Sequence, residues 1–151
     1  MKLATALLQR ADLQKRLAEI NNRMKNNAKV QEGEQPSEKP SDLLKELDAL
    51  LLQLEDLVAR INLTNSKTVL EDGRSITALI AHRDMLGKKL SIMRSFLDEA
   101  SSKVDRYSRA EIKIVSTVDV AKLQKQVDAA SKELRETDEK LQELNWTTEL
   151  I

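Results

Sequence analysis

Residues 43–61 read LLKELDALLLQLEDLVARI, a segment in which apolar side chains recur at alternating spacings of three and four. This spacing places them along one face of an α-helix, and a face of this length is buried only against other helices. Aliphatic side chains also form a second edge of the same segment, at Leu44, Leu51 and Val58. We expect the core of one bundle to leave part of this second edge uncovered, which favours self-association.

The same apolar spacing recurs in three other segments, at residues 3–24, 76–104 and 120–144. We therefore predict an all-α fold, an antiparallel bundle of four long helices with coiled-coil seams and long connecting loops. Ser41 is the expected cap of the second helix, and Ser116 or Thr117 that of the fourth. A length of 151 residues suits one domain covering residues 1–151.

The connections between the predicted helices are long, since each exceeds about ten residues where bundles usually use 2–8. In an up-and-down bundle the first and third connections share one end, which would bring Glu32 and Glu34 near Arg106 and Arg109. The alternation of Ile112 and Ile114 around Lys113 also predicts a short two-stranded patch, formed where Val30 meets residues 112–115.

The sequence predicts how two residues in or beside the predicted helices are packed. Gly87 lies inside the third helix, where glycine costs about 1 kcal/mol relative to alanine, so we expect a close backbone contact there. Trp146 is expected to be buried near the second connection, because a tryptophan combines a large apolar ring with an NH group that needs a partner.

The composition argues against several classes of function. Lys and Arg balance Asp and Glu at 25 each, so no overall charge attracts nucleic acid or an anionic membrane. There is no cysteine and only one histidine, His82, which excludes thiolate catalysis and multi-histidine metal sites. Because no glycine-rich phosphate loop or nucleophile motif is present, we predict a non-enzymatic protein with no cofactor and no metal site.

The distribution of apolar residues predicts a cytoplasmic protein without a membrane span. The densest apolar run covers only residues 49–52, far below the roughly 20 residues that cross a bilayer. The apolar patch near the start of the chain ends at Leu8, which is too short for a secretory signal.

Two arginines occupy seam positions that normally hold leucine, Arg10 in the first helix and Arg83 in the third. In one interpretation each arginine snorkels past the seam, or pairs as a buried charge with a nearby acid such as Asp12 or Asp84 or with a carboxylate of another helix, and so fixes the register of the bundle. In the other, Arg83 with His82 and Asp84 forms an anion or ligand site, whose ligand the sequence does not identify.

The third connection contains a candidate interface or ligand loop. Two arginines, a tyrosine and a lysine lie close together in it, at Arg106, Tyr107, Arg109 and Lys113. Such a group suits internal pairing with Glu32 and Glu34, a subunit interface, or a site for phosphate or single-stranded nucleic acid. The residue types leave these three alternatives open.

The loop sequences resemble the septicolysin-like family of small bacterial helical proteins. The resemblance covers nearly the whole chain and depends on five short motifs, at residues 30–34 (VQEGE), 61–65 leading to 70–73 (INLTN and LEDG), 105–113 (DRYSRAEIK), 115–120 (VSTVDV) and 145–150 (NWTTEL). It implies a bacterial source and an all-helical fold. It implies no established reaction, cofactor or catalytic residue, although the family name suggests a membrane-active cytolysin.

The function that the sequence favours is that of a structural or interaction protein, which assembles into a homo-oligomer through helix faces and loops. Two alternatives belong to other classes. One is the membrane-active cytolysin that the resemblance suggests, and the other is a phosphate or single-stranded nucleic-acid binder that uses Arg106, Tyr107 and Arg109.

Overall fold

The computed structural model of the protein describes residues 1–102 and 112–151. It contains four helices, α1 (Leu3–Asn26), α2 (Pro40–Lys67), α3 (Ile76–Ser101) and α4 (Val120–Thr147). Within the described residues there is no strand, only the isolated antiparallel bridges Lys2–Glu149 and Val69–Ser75. The prediction of an all-α fold built from four long helices is therefore confirmed.

The helix ends differ from the predicted ones in several places. Helix α2 begins with Pro40 in its first turn and Lys39 at the N-cap position, so Ser41 is not the cap. It continues to Lys67, which leaves a connection of only eight residues before α3. Proline suits the first turn because its missing N–H would have no partner there.

The start of α4 also differs from its prediction, because Asp119 supplies the capping group. Its Oδ1 accepts a hydrogen bond from the backbone N–H of Lys122 at 3.1 Å. Ser116 instead hydrogen-bonds the backbone of Val118. The expected two-stranded patch is not formed by the described residues, since neither Val30 nor residues 112–115 lie in a strand or bridge.

The chain divides into two compact units. The terminal unit contains Met1–Thr77 and Gln142–Ile151. In it α1 and α2 lie antiparallel, because Arg23 near the end of α1 hydrogen-bonds Glu46 near the start of α2. The core of this unit is aliphatic and includes Leu3, Ala6, Leu13 and Ile20 of α1 with Leu43, Leu50, Leu57 and Ile61 of α2.

The second compact unit, the hairpin unit, contains Ala78–Leu141. Here too the helices run antiparallel, since Arg83 lies near Asp138 while Arg94, further along α3, hydrogen-bonds Ser131. Its core cluster consists of Leu86, Leu90, Leu97, Leu123, Val127 and Ala130. That residues 1–151 form a single domain stays a prediction.

Gly87 has no close neighbour that would explain it. A Cβ atom built on Gly87 meets nothing within 4 Å, apart from its own helix backbone and chain neighbours. The expectation of a close backbone contact at this position is therefore wrong. The expectation for Trp146 is wrong as well, because 59% of this residue is exposed.

Candidate functional site

Helix α2 carries a half-exposed aliphatic face beside the face that it buries against α1. Along this face Leu44, Leu47, Leu51, Leu54 and Val58 follow one another at spacings of three and four. Leu44 is 50% exposed and Leu51 is 46% exposed, while the other three are partly buried. These five residues, the α2 aliphatic face, include the second edge seen in the sequence.

Acidic side chains border the α2 aliphatic face. Asp48 and Glu55 are both exposed, and neither forms an ion pair with another residue of the described chain. The surface thus combines aliphatic groups with unpaired negative charge and offers no nucleophile. Such a surface suits contact with another helix, especially one whose apolar side chains are bordered by lysine or arginine.

Arg83 and Asp84 lie at the surface of the hairpin unit rather than inside it. The Arg83 guanidinium donates to Asp84 Oδ1 from Nε at 3.1 Å and from Nη2 at 2.9 Å. Its Nε also lies 3.8 Å from Asp138 Oδ1 across to α4. Because 36% of the Arg83 side chain and 51% of the Asp84 side chain are exposed, neither is the buried charge that was predicted.

His82 accompanies Arg83 in joining α3 to α4. Its Nε2 lies 3.0 Å from Oε1 of Glu133, and both side chains are partly exposed. The pairs His82–Glu133 and Arg83–Asp138 both join α3 to α4, and an anion or ligand site at His82, Arg83 and Asp84 stays a prediction. Their geometry fits a role in holding the helices in register.

Arg10 is partly buried in the terminal unit and differs from Arg83 in its surroundings. It forms no ion pair with a described residue, and its buried Nε has no hydrogen-bond partner there. The expected pairing of Arg10 with Asp12 or with a carboxylate of another helix is therefore wrong for the described part of the chain. Its aliphatic stem occupies the seam position.

The candidate loop is only partly described. Glu32, Glu34 and Lys113 are exposed, and the two glutamates form no ion pair with any described residue. Arg106, Tyr107 and Arg109 lie outside the described residues. Their pairing with Glu32 and Glu34, and their use in binding phosphate or nucleic acid, stay predictions.

A polar network joins α1 to α2, and the sequence did not predict it. Arg23 Nη2 donates to Glu38 Oε1 at 2.6 Å, and its Nη1 donates to Glu46 Oε1 at 3.0 Å. The hydrogen bonds from Arg23 lower the pKa of Glu38 below its ordinary value of 4.5. Nearby, Asn27 donates from Nδ2 to the Arg23 carbonyl at 2.8 Å and accepts the Glu38 N–H at 3.0 Å.

The only available signal for this network was the polar composition around the end of α1, and it did not identify which acids Arg23 would bind. The network has a structural role, because it fixes the long connection between α1 and α2. A fork of N–H donors on two carboxylates is a strong, directional contact.

A second polar cluster, the terminal clamp, ties the two ends of the described chain together. It consists of the backbone bonds from Leu3 N to Thr148 O at 2.9 Å and from Leu150 N to Met1 O at 2.8 Å. Lys2 Nζ lies 2.7 Å from Glu149 Oε1. The hydrogen bond from Lys2, together with one from the amino group of Met1, lowers the pKa of Glu149.

The described residues contain no group of three or more metal-ligating His, Asp or Glu side chains. None of the helices in this part of the chain combines the length and the hydrophobicity that a membrane span requires.

Comparison with known proteins links the chain to relatives of unknown function. A family model described as a family of unknown function (DUF6847) matches residues 10–150. A crystal structure of a functionally unknown conserved protein from Corynebacterium diphtheriae is similar, with 45% sequence identity and a TM-score of 0.89. The match covers 100% of this chain and 99% of that one. No curated protein matches significantly.

These findings correct the resemblance drawn from the loop motifs. The matching family is one of unknown function and the solved relative is a functionally unknown conserved protein, so the assignment to the septicolysin-like family is wrong. The hypothesis of a membrane-active cytolysin loses the resemblance on which it was based.

Proposed function

The chain belongs to DUF6847, a family of unknown function, and we propose that it is a non-enzymatic interaction protein that assembles into a homo-oligomer through the α2 aliphatic face. The observation that carries this proposal is the half-exposure of Leu44 and Leu51 on a helix whose other face is already packed. We also expect the assembly to be cytoplasmic, which cell fractionation would test.

The energetics favour a contact larger than two leucines. Complete burial of a leucine side chain is worth roughly 1.5–3 kcal/mol, so covering the exposed halves of Leu44 and Leu51 yields only about 1 kcal/mol each. Association costs an estimated 4–15 kcal/mol in lost freedom of motion. The partner surface must therefore contribute apolar groups of its own, and the bordering charges must find partners.

Light scattering coupled to size-exclusion chromatography tests this proposal. We expect the wild-type protein to form an oligomer at micromolar concentration and Leu51→Glu to shift it to monomer, because the substitution places a charge within the contact. Leu8→Glu is the matched control, since Leu8 is 65% exposed on α1 and lies outside the α2 aliphatic face. It should leave the oligomer intact.

The folded state of each variant is checked by circular dichroism. Leu51 is 46% exposed, so its replacement leaves the buried core of the terminal unit in place. A wild-type protein that is strictly monomeric at micromolar concentration would contradict the proposal. So would an oligomer that Leu51→Glu leaves unchanged.

A further inference from the structure

Helix α3 carries an apolar stripe that its own core does not use. Met85 is 56% exposed, Ile92 is 70% exposed and Phe96 is 49% exposed. They lie on a different side of α3 from the buried leucines at positions 86, 90 and 97. Three large apolar side chains at helical spacing on an exposed face are typical of a contact surface.

Positive charge borders this α3 stripe. Lys88 and Lys89 lie between Met85 and Ile92 in the sequence, both are exposed, and neither forms an ion pair within the described chain. The stripe is thus the electrostatic opposite of the α2 aliphatic face, whose bordering Asp48 and Glu55 are likewise unpaired.

We propose that the α3 stripe of a second copy of this chain is the partner of the α2 aliphatic face. This inference rests on the proposed self-association and identifies its second surface. The spacing agrees, because Leu44 and Leu51 are separated by seven residues, as are Met85 and Ile92. Both pairs span about 10.5 Å along their helices.

An antiparallel arrangement aligns the two surfaces. When Leu44 meets Ile92 and Leu51 meets Met85, Asp48 comes opposite Lys88 and Lys89. Opposite charges beside an apolar contact favour this pairing and help to select the partner.

Pairing of like surfaces is disfavoured by the same charges. Two α2 helices packed antiparallel through Leu51 would bring Asp48 of one copy close to Glu55 of the other, and two α3 stripes would bring lysines together. Like charges at a helix contact are repulsive. The contact therefore pairs unlike surfaces, the α2 aliphatic face of one copy with the α3 stripe of the other.

Charge reversal tests the pairing directly. The double variant Lys88→Glu, Lys89→Glu should weaken self-association about tenfold or more, measured as the dissociation constant by sedimentation equilibrium. Adding Asp48→Lys, the position that faces residues 88 and 89 in this arrangement, to the same chain should recover part of the lost affinity. Failure of the lysine double variant to weaken association, or of the threefold variant to recover any affinity, would overturn the inference.

Mixing two variants that cannot self-associate distinguishes this inference from the proposed self-association through the α2 aliphatic face. Leu51→Glu disables the α2 face and Ile92→Glu disables the α3 stripe, so each chain alone should be monomeric. Together they retain one intact α2 face and one intact α3 stripe, and should form a 1:1 complex.

The outcomes of the mixing experiment are distinct. If Leu51→Glu dissociates the protein while Ile92→Glu leaves it assembled, self-association through α2 stands and the α3 partner is wrong. If both variants are monomeric and their mixture stays monomeric, the pairing of the α2 aliphatic face with the α3 stripe is wrong. If neither variant dissociates the protein, both proposals fail.

Discussion

Arg23 shows how one side chain fixes a long connection. It reaches from the last turn of α1 to Glu38 in the loop and to Glu46 in α2, at 2.6 and 3.0 Å. All three side chains are about 40% exposed, so water screens the attraction between them. The contribution of the network is therefore better tested by its dependence on pH than by its size.

The pH dependence follows from the lowered pKa of Glu38. Because that pKa is lower in the folded than in the unfolded state, the pairing stabilises the fold fully above the ordinary glutamate pKa of 4.5 and loses its effect as the pH falls through the lowered value. Arg23→Met should thus be less stable than wild type near neutral pH, with a difference that shrinks on acidification.

Urea unfolding over a pH series measures this difference. Arg16→Met is the control, because Arg16 is exposed on the same helix and forms no ion pair within the described residues. A deficit for Arg23→Met of equal size at neutral and strongly acid pH would mean that the guanidinium stabilises the fold by packing alone.

At the scale of the helix, α2 shows that adjacent residues can differ sharply in how far they are buried. Leu50 is 2% exposed and belongs to the core, whereas Leu51, one residue later, is 46% exposed. A turn of about 100° per residue separates the two side chains, so one helix presents two aliphatic faces. The first holds the terminal unit together, and the second is the face that we propose to contact a partner.

The glycines provide a prediction at the same scale. Gly87→Ala should raise the free energy of unfolding by about 0.5–1 kcal/mol, because alanine favours the helix and its Cβ has free space. Gly73→Ala should lower it by about 1 kcal/mol, because Gly73 has a φ of +82° that alanine rarely adopts.

Chemical denaturation of both variants checks this pair. A Gly87→Ala variant less stable than the wild type would contradict the open space around Gly87.

At the scale of the whole molecule, the ends of the chain stabilise the terminal unit. Thr64 is completely buried, and its hydroxyl accepts the N–H of Ile151 at 3.0 Å while donating to the Arg60 carbonyl at 2.8 Å. Arg60 Nε in turn donates to the carbonyl of Ile151 at 2.9 Å. The last residues of the chain are thereby attached to α2.

Thr64→Val tests this attachment, since valine keeps the shape and removes the acceptor. We expect a loss of about 1 kcal/mol in the free energy of unfolding and faster amide exchange at Ile151. Thr137→Val is the matched control, because Thr137 is also buried but its hydroxyl donates to Glu133 of its own helix. Equal losses in the two variants would mean that the loss comes from removing any buried threonine hydroxyl, and not from the bond to Ile151.

The four helices and the two aliphatic edges of α2 can be predicted from the amino-acid sequence. Both depend on the spacing of apolar residues along a continuous segment, which is a local property. The sequence did not predict the end of α2 at Lys67 or the cap at Asp119, since several polar residues near each end compete for those roles.

Which edge of α2 is buried, and which charges pair, depends on how the helices pack against each other. Burial of Leu50 but not Leu51 depends on where α1 lies, and the partners of Arg23 are 15 and 23 residues away in the sequence. Arg83 likewise approaches Asp138 from another helix, 3.8 Å away. Such contacts form between segments that the fold brings together, so the sequence of either segment alone does not contain them.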